Sequence, residues 1–538
     1  MTKNVGVGAK TAEDEPRLGA GSVSRCLRPY TVAAVAVVLL AAAMRLWGLG
    51  RESLWLDEAT SLMLARLPVR EIAAWTALDL HPPLYYALLR AWISLGQSEA
   101  AVRGLSALAS VLTVVVVCHL GYDLFDRPTG LIAGLLLAVS PYAIWYGQEA
   151  RMYALLALLL TALVWLALRV LGDPQPRGAR WLAWIGYVLA GAAALYTHYY
   201  AFFGLGIANL LFVYLALRRR LDKRRVWKWL AAQAAVALLF APWLPTLLAL
   251  VRGGSGGWLG QAAERPGLER IAHTLVAYMV GGVRGALPSL LRRVGYVAFG
   301  VALAAGLWPW RRREGVHGGP PLQKRDDGRG RLLCLPRLLS DREATWFCAA
   351  WVVLPLGAAW LVSQVRPMYS ERYMLPFLAP FLLLAARGVR RLPHIALRYG
   401  LAVVLVALLV TASVVQVRTL DKPDWRGLAS ELRAQSQPGD LVLFVPGWHA
   451  KAFAYYDEGQ LAIYGNIPVP VPQLVDEARA AVETAIQGHP RVWLVWETGH
   501  YTDPDGQVRA WLAEQLQQTA ERPVPLVGSL LLFEREAP

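Results

Sequence analysis

The chain has 538 residues, enough for several water-soluble domains, yet 56% of them are hydrophobic and only 17% are charged. Together with a mean hydropathy of +0.38, these values argue against a soluble protein and make the bilayer the expected main solvent. From Asp421 onward nine Lys or Arg stand against sixteen Asp or Glu, a net charge of −7, whereas the whole chain carries +16 and residues 1–420 therefore +23. Positive charge confined to a membrane region indicates how the protein is oriented across the membrane, because cytoplasmic loops retain Lys and Arg. We do not expect nucleic-acid binding.

Apolar segments long enough to approach a membrane span recur along the first 420 residues, and we predict about eleven transmembrane helices. They lie near residues 30–48, 104–122, 129–146, 152–171, 181–196, 200–217, 229–251, 294–310, 345–364, 374–386 and 395–416. The first could be a signal peptide, but its length and the ten segments that follow favour an uncleaved anchor. Segment 82–95 contains Arg90 and three aromatic residues, which is typical of a helix at the membrane interface. The four cysteines have no metal-type spacing and predict no disulfide framework.

An alternating path with the amino terminus in the cytoplasm places basic clusters at 218–228, 311–313 and 387–391 on the cytoplasmic side. The predicted organisation has a cytoplasmic tail (1–29), a transmembrane domain (30–416) and an extracytoplasmic domain (417–538). The transmembrane domain includes an extracytoplasmic loop (49–103) and a flexible cytoplasmic loop (311–343). Strand patterns at 441–445 and 491–497 and helical patterns at 476–486 and 507–518 predict that residues 417–538 form a small α/β domain.

The first extracytoplasmic loop contains LWLDEA, which places Asp57 and Glu58 next to each other in an amphipathic pattern. A carboxylate in half-apolar surroundings can act as a general base, because loss of solvent raises its basicity. The pair could equally be an acidic helix start that is stabilised by the helix dipole. The spacing alone does not separate these two interpretations.

Further polar residues fall on the same predicted face. They are His81 in HPPLYY, the group Gln148, Glu149 and Arg151, His198 in YTHYY, and the pair Glu371 and Arg372. An arginine at the membrane edge is well suited to bind a phosphate, because its planar guanidinium can donate hydrogen bonds to two phosphate oxygens at once. Each residue also has a plain alternative as part of an aromatic belt, a local ion pair or a snorkelling side chain. The predicted span centres contain essentially no Asp, Glu, Lys or Arg, which argues for chemistry at the interface over transport through the bundle.

Six motifs occur in order: LWLDEA, HPPLYY, VRGLSAL, SPYAIWYGQEARMYALL, YTHYYA and ERYMLPFLAPFLLL. Together they resemble the GT-C membrane glycosyltransferases of the glycosyltransferase 39-like superfamily, whose relatives include protein O-mannosyltransferases and the lipid A aminoarabinose transferase. The resemblance covers about residues 30–386. It implies a polytopic α-helical GT-C fold in the cell membrane, followed by the small α/β domain.

The resemblance further implies inverting transfer of a sugar from a polyprenyl-phosphate donor to a hydroxyl acceptor at the extracytoplasmic face. The acceptor could be a lipid, a glycan, a cell-wall polymer or a protein. Asp57 and Glu58 match the family's acidic catalytic pair, with Asp57 as the expected base. His81, Arg151 and Arg372 are expected near the donor phosphate. The family motif has either lysine or histidine at the position of His81, and a histidine makes the charge at that position depend on pH. The expected supporting or substrate-binding residues are Tyr85, Gln148, Glu149, Tyr153, His198, Tyr199, Glu371 and Tyr373.

No cofactor is implied. A divalent metal held by Glu149 with His198 or His273 is an open alternative on weak evidence, because scattered oxygen and nitrogen donors are common. The competing functional hypothesis is a non-enzymatic transporter or assembly factor for lipid-linked sugars.

Overall fold

In the computed structural model, each of the eleven predicted membrane segments is helical. The structure describes residues 20–79, 81–172, 177–218, 220–252, 265–282, 287–308, 322–326, 332–336, 338–419, 422–497 and 499–535. Residues 1–19 of the predicted cytoplasmic tail and the basic cluster 311–313 lie outside these ranges.

The membrane region consists of helices in its described part. Their bounds are α1 Ala20–Leu46, α2 Leu56–Arg66, α3 Val69–Thr76, α4 Leu84–Trp92, α5 Glu99–Leu124, α6 Arg127–Ala138, α7 Pro141–Gly147, α8 Tyr153–Leu171, α9 Arg177–Thr197, α10 Ala201–Leu217, α11 Lys223–Phe240, α12 Leu244–Arg252, α13 Glu269–Val280, α14 Ser289–Leu307, α15 Asp341–Ser363, α16 Leu378–Arg391 and α17 Ile395–Arg418. Short 3₁₀ turns extend α4 through Ile93–Leu95 and precede α16 at Glu371–Phe377.

The protein is a multi-pass membrane protein. Among the described residues, seven helical segments are long and apolar enough to cross a bilayer, and the bent pair α6 and α7 makes an eighth. The apolar part of α1, Tyr30–Leu46, and helix α10 are shorter, and α9 has 21 residues. By length and composition, the described helices thus give seven or eight candidate spans, fewer than the eleven predicted segments. Helix α4 with its 3₁₀ turn is too short for a bilayer that needs about 20 residues.

A buried arginine stabilises the bend between α6 and α7, where the two helix axes differ by 61°. Arg45, at the end of α1, is fully buried. Its guanidinium donates to the carbonyls of Leu137 and Ala138 and to the hydroxyl of Ser110. A helix end leaves carbonyls without intrahelical partners, and Arg45 satisfies two of them. Arg45 lies in the last turn of α1, outside the span centres, and a break in a helix within the bundle needs such a donor.

Charged residues also gather at the opposite helix ends. Arg387 and Arg391 near the end of α16 both pair with Asp341 at the start of α15. Arg169 pairs with Asp123 at 2.9 Å, where α8 and α5 end. The predicted flexible loop 311–343 contains an antiparallel strand pair in its described part, β1 Leu322–Asp326 and β2 Leu332–Pro336, so that part is more regular than expected.

The predicted small domain is an α/β unit with a five-stranded mixed sheet. Its elements are α18 Trp425–Gln435, β3 Leu441–Val445, α19 His449–Asp457, β4 Ala462–Tyr464, α20 Val475–Ala485, β5 Arg491–Trp496, α21 Gln507–Gln515, β6 Gln517–Val524 and β7 Gly528–Glu534. The strand order is β4-β3-β5-β7-β6, with β4, β3 and β5 parallel and the last two strands antiparallel. The helix predicted to reach residue 518 ends at Gln515, and the chain turns into β6. That strand is polar and exposed, so its sequence lacks the apolar alternation by which a strand is recognised.

Candidate functional site

The acidic pair lies in the first turn of α2, and the two carboxylates face different surroundings. Glu58 is fully buried. Its carboxylate accepts two hydrogen bonds from Arg103, at 2.8 and 2.7 Å, and one from Lys422 Nζ at 3.0 Å. The backbone N–H of Ala150 donates to Oε1 at 3.0 Å. Glu58 therefore joins the loop between α1 and α5 to α5 itself, to the turn before α8 and to the chain that follows α17.

These partners set the protonation of Glu58. Burial alone would raise the pKa of its carboxyl, but the charges of Arg103 and Lys422 and the bonds from Arg103 and Ala150 lower it to about 2. A carboxylate whose lone pairs are occupied and whose pKa is low is a poor general base. The structure thus favours a positioning role for Glu58 over the catalytic role predicted from the sequence.

Asp57 is the exposed partner, with 26% of its side chain accessible. Arg372 donates from Nη1 to Asp57 Oδ2 at 3.0 Å, and Nε of Arg151 lies 3.8 Å from the same oxygen. One reachable carboxylate oxygen thus lies between two guanidinium groups. A planar guanidinium presents several N–H donors, so both arginines retain donors for an anionic ligand.

Tyr86 and Ser61 orient Arg151. Its Nη1 donates to the hydroxyl of Tyr86 at 3.2 Å and to Oγ of Ser61 at 3.5 Å. Tyr85, the neighbour of Tyr86 on α4, bonds Ser106 Oγ at 3.0 Å, and Ser106 donates to the carbonyl of Arg151 at 3.1 Å. Tyr85 therefore supports the backbone of Arg151 and does not point at Asp57.

Two histidines lie beside the arginines, with ring centroids 5.4 Å apart. Burial and the positive charge of Arg151 lower the pKa of His81, and burial together with His81 and the arginines lowers the pKa of His198 well below its ordinary value. Both shifts favour the neutral imidazole, although Asp79 opposes the shift at His81. The N–H of Tyr200 donates to His198 Nδ1 at 3.1 Å, which places the ring proton on Nε2. Within the described part of the chain, that Nε2 has no hydrogen-bond partner, whereas Nδ1 of His81 lies 3.5 Å from Oδ2 of Asp79.

Tyr373 joins these groups through ring contacts. Its centroid lies 4.5 Å from that of His198, 6.2 Å from His81 and 5.8 Å from Tyr153. Both tyrosines are almost fully buried. They form the apolar wall of the site and exclude water from the side of Asp57 that faces the bundle.

Glu149 is a second buried carboxyl near the pair. Burial raises the pKa of Glu149 to about 7, helped by the negative charges of Glu58 and Asp57 and opposed by Lys422 and Arg372. Among the residues that the structure describes, no group donates a hydrogen bond to its Oε2. The predicted supporting role of Glu149 is consistent with this position.

Three predicted site residues lie at the edge of the site or serve the scaffold. Gln148 donates to the carbonyls of Arg45 and Trp47 at 3.0 and 2.8 Å and so caps α1. Tyr199 accepts a hydrogen bond from Trp243 at 3.1 Å. Glu371 lies 3.9 Å from His273. No group of three or more metal-type side chains occurs among the described residues, and the metal alternative gains no geometric support.

Lys422 and Arg103, the two cations that hold Glu58, had no role predicted from the sequence. Arg103 occurs in the VRGLSAL motif, where a buried partner for the acidic pair was a reasonable inference. Its Nη1 and Nη2 also bond the carbonyls of Leu49, Glu52 and Ser53. Lys422 lies beyond the last span and is 364 residues from Glu58, and no local pattern links the two.

The C-terminal domain packs directly against the loop that carries the acidic pair. Tyr456 of α19 accepts a hydrogen bond from the N–H of Leu54 at 2.6 Å and donates to Glu99 at 3.2 Å. Ser53 donates to Asp424 at 3.2 Å, and Ala59 of α2 belongs to the apolar cluster of the domain. The domain thus helps to fix where α2 begins.

Comparison with known proteins supports the fold. Residues 80–245 match the family described as Dolichyl-phosphate-mannose-protein mannosyltransferase, and no curated protein matches the chain. The structure is similar to ArnT from Cupriavidus metallidurans in the apo state, with a TM-score of 0.60 and 15% identity over 94% of this chain and 98% of that chain. For ArnT bound to undecaprenyl phosphate the TM-score is 0.59, with the same identity and coverage.

A further similarity is to the oligosaccharyltransferase of Archaeoglobus fulgidus in complex with Zn and sulfate, with a TM-score of 0.55 and 12% identity over 93% of this chain and 72% of that chain. The resemblance inferred from the six sequence motifs is therefore confirmed: the chain has the GT-C fold of these membrane glycosyltransferases, and its segment 80–245 matches the mannosyltransferase family.

Proposed function

We propose that the protein is an inverting membrane glycosyltransferase that moves a sugar from a polyprenyl-phosphate donor to a hydroxyl acceptor at the extracytoplasmic face. The observation that carries the proposal is Asp57, a reachable carboxylate placed between Arg151 and Arg372. Such a transfer requires a base for the acceptor hydroxyl close to cationic groups that bind the donor phosphate. The printed description of the matched family and the undecaprenyl phosphate in one similar structure point to the same donor class.

In the proposed reaction, Asp57 accepts the proton of the acceptor hydroxyl while the oxygen of that hydroxyl forms a bond to the anomeric carbon of the donor sugar. The bond from that carbon to the phosphate oxygen breaks on the opposite face, and the phosphate leaves with the electron pair. One displacement inverts the anomeric configuration. The products are the glycosylated acceptor and the polyprenyl phosphate, and Asp57 returns its proton to the solvent.

The leaving phosphate gains negative charge in the transition state, and preorganised donors stabilise such charge most effectively. Arg151 and Arg372 supply guanidinium N–H groups, and His198 supplies the N–H at Nε2 that its bond from Tyr200 fixes. In the resting enzyme Arg372 is bound to Asp57. Donor binding draws Arg372 toward the phosphate and releases the carboxylate for its role as base.

The face of the membrane is part of the proposal. The basic helix ends, with Arg387 and Arg391 at the end of α16 and Arg169 in α8, lie at the opposite ends of the helices from Asp57. Because basic residues are retained in the cytoplasm, the site and the C-terminal domain belong on the outside.

The test compares wild type with Asp57→Asn in purified, detergent-solubilised protein supplied with a panel of polyprenyl-phosphate sugars. Glycosylated products and released polyprenyl phosphate are identified by mass spectrometry. We expect Asp57→Asn to lose about 10²- to 10⁴-fold in turnover, the usual contribution of a general base. The matched control is Asp476→Asn, an exposed aspartate in the first turn of α20, which should keep full turnover. Unchanged turnover in Asp57→Asn would remove Asp57 as the base.

The same protein in sealed vesicles addresses the transporter hypothesis. If labelled lipid-linked sugar crosses the bilayer and no glycosidic bond forms, the enzyme proposal fails. Repeating the turnover assay with a chelator measures whether a divalent cation takes part.

A further inference from the structure

The sheet of the C-terminal domain has a topological switch point that the proposed reaction does not use. Strands β3 and β5 are parallel neighbours, and the chain leaves their carboxyl ends in opposite directions. After β3 it passes through α19 to β4 on one side, whereas after β5 it passes through α21 to β6 and β7 on the other. In open α/β sheets, ligands bind in the crevice that forms at such a point.

Polar side chains from both loops meet in this crevice. His449, which follows β3, places Nε2 3.0 Å from Oε2 of Glu497, which follows β5. His500 approaches the same carboxylate oxygen at 3.9 Å and bonds Thr502 through Nδ1 at 2.8 Å. The other ring nitrogen of His449 is buried, and in the described ranges it has no hydrogen-bond partner.

Aromatic rings flank these polar groups. The centroid of Trp448 lies 5.5 Å from that of His500 and 6.4 Å from Tyr501, and the latter two are 4.4 Å apart. Tyr501 is 45% exposed, and Trp448 is half-buried. Large aromatic rings usually bury their faces, so partly exposed rings beside fixed polar groups have the composition of a ligand site. We call Trp448, His449, Glu497, His500 and Tyr501 the Trp448 crevice.

The charge of the crevice restricts its ligand. Burial acts to raise the pKa of Glu497, but the hydrogen bond from His449 and the nearby histidines lower it overall, so the carboxylate is ionised near pH 7. Burial lowers the pKa of His500, against the attraction of Glu497, and that ring is neutral. An ionised carboxylate repels phosphates and other anions. A neutral saccharide fits these groups. Its C–H groups can stack on the aromatic faces, and its hydroxyls can donate hydrogen bonds to the carboxylate.

We propose that the Trp448 crevice binds a neutral saccharide unit of the acceptor, which makes the acceptor of the proposed glycosyltransferase a glycan or glycolipid. The identification of the bound saccharide as part of the acceptor rests on the proposed function. The saccharide binding itself rests on the crevice alone.

The crevice is mechanically joined to the site. Helix α19 begins at His449, and its Tyr456 bonds Leu54, two residues before α2. Lys451 of the same helix lies over the ring of Trp75 in α3, 5.7 Å from its centroid. A saccharide held in the crevice is therefore held by the same body that fixes the position of Asp57.

The direct test measures binding to the full-length protein in detergent, without donor, by saturation-transfer NMR and calorimetry. The probes are methyl α-D-mannopyranoside, methyl β-D-galactopyranoside, methyl α-L-arabinopyranoside and N-acetylglucosamine, with tetramethylammonium as a cationic comparison. We expect at least one saccharide to bind, and Trp448→Ala and Glu497→Gln each to weaken it about tenfold or more. The matched control Glu477→Gln, an exposed glutamate in the first turn of α20, should leave binding unchanged.

Binding of no saccharide in the panel, binding of tetramethylammonium alone, or saccharide binding unaffected by both crevice variants would each overturn the inference. Asp57→Asn should keep wild-type saccharide binding, so a failure of the catalytic proposal is distinguishable from a failure of this one. Once an acceptor is identified, Trp448→Ala should raise its KM about tenfold with kcat unchanged. A fall in kcat alone would contradict a binding role.

Discussion

Arg372 donates a hydrogen bond from Nη1 to Oδ2 of Asp57 at 3.0 Å, and so joins two side chains that are 315 residues apart in the chain. In the proposed function these two groups have different tasks, because Asp57 takes a proton and Arg372 binds the donor phosphate. Their contact in the resting site keeps each in place until the donor arrives. The contact also explains why a single substitution can affect both donor binding and turnover.

Replacement of Arg372 should therefore impair the donor step. We expect Arg372→Ala to lower kcat/KM for the donor about 10²- to 10³-fold, because a preorganised donor to the leaving group is lost. Arg372→Lys should recover only part of the lost kcat/KM, since an ammonium group lacks the planar geometry of a guanidinium. Steady-state kinetics with the donor varied is the measurement. The control is Arg366→Ala, whose side chain bonds the carbonyls of Val251 and Leu250, and an equal loss there would refute a specific role for Arg372.

Glu58 should prove to be a stability residue. Glu58→Gln leaves Arg103 and Lys422 without their buried counter-charge, and breaking such a pair costs about 3–5 kcal/mol. Thermal unfolding in detergent should show a large drop in Tm for Glu58→Gln and a small one for Asp57→Asn. Lys422→Met combined with Glu58→Gln should lose less than the sum of the single variants, because the second change removes a charge that the first left unpaired. Strict additivity would contradict the proposed pairing.

The pH dependence of stability should contain a contribution from Glu149. Its pKa is about 7 in the folded protein against an ordinary 4.5, so the folded state holds this proton more tightly than the unfolded state. The associated stability is fully present below about pH 4.5 and is lost as the pH rises through 7. Glu149→Gln cannot ionise, and its free energy of unfolding should exceed that of wild type by a margin that grows from pH 5 to pH 8 and reaches about 3 kcal/mol. Thermal unfolding over this pH range should show it as a growing difference in Tm. A margin that is constant over this range would show that Glu149 titrates normally.

The contact between the domains should be visible at Tyr456. Tyr456→Phe removes the acceptor for the buried N–H of Leu54, and an unpaired buried donor costs about 1–3 kcal/mol. We also expect a fall in turnover, because α2 begins two residues later and carries Asp57. Tyr399→Phe serves as control, since Tyr399 is exposed on α17. Wild-type stability and turnover in Tyr456→Phe would mean that the domain does not position the loop.

Much of the membrane region could be predicted because long apolar segments are required by the bilayer itself. The acidic pair and its surrounding basic and aromatic residues were also recognised, since ordered motifs carried them. Which residue of the pair is the proposed base and which has the positioning role could not be predicted. Asp57 and Glu58 have the same chemistry and adjacent positions, and their roles differ through Arg103, Arg372 and Lys422, which only the folded chain brings together.

The C-terminal strands show the same limit. Leu441–Val445 and Arg491–Trp496 are apolar runs buried in the sheet, and their patterns predicted strands. Gln517–Val524 is a polar strand that pairs only with β7, and its conformation depends on that partner more than on its own sequence. The bend at Arg45 was missed for a related reason, because the carbonyls that it satisfies belong to a helix far along the chain.

The bond between Lys422 and Glu58 has a consequence for biosynthesis. Glu58 is made and inserted early, while its second cation follows only after the last span has left the ribosome. Until then Glu58 lacks its bond from Lys422, and the loop that carries it lacks the contacts that the following domain supplies. We expect any fragment that stops short of Lys422 to insert into the membrane but to carry an incompletely formed site.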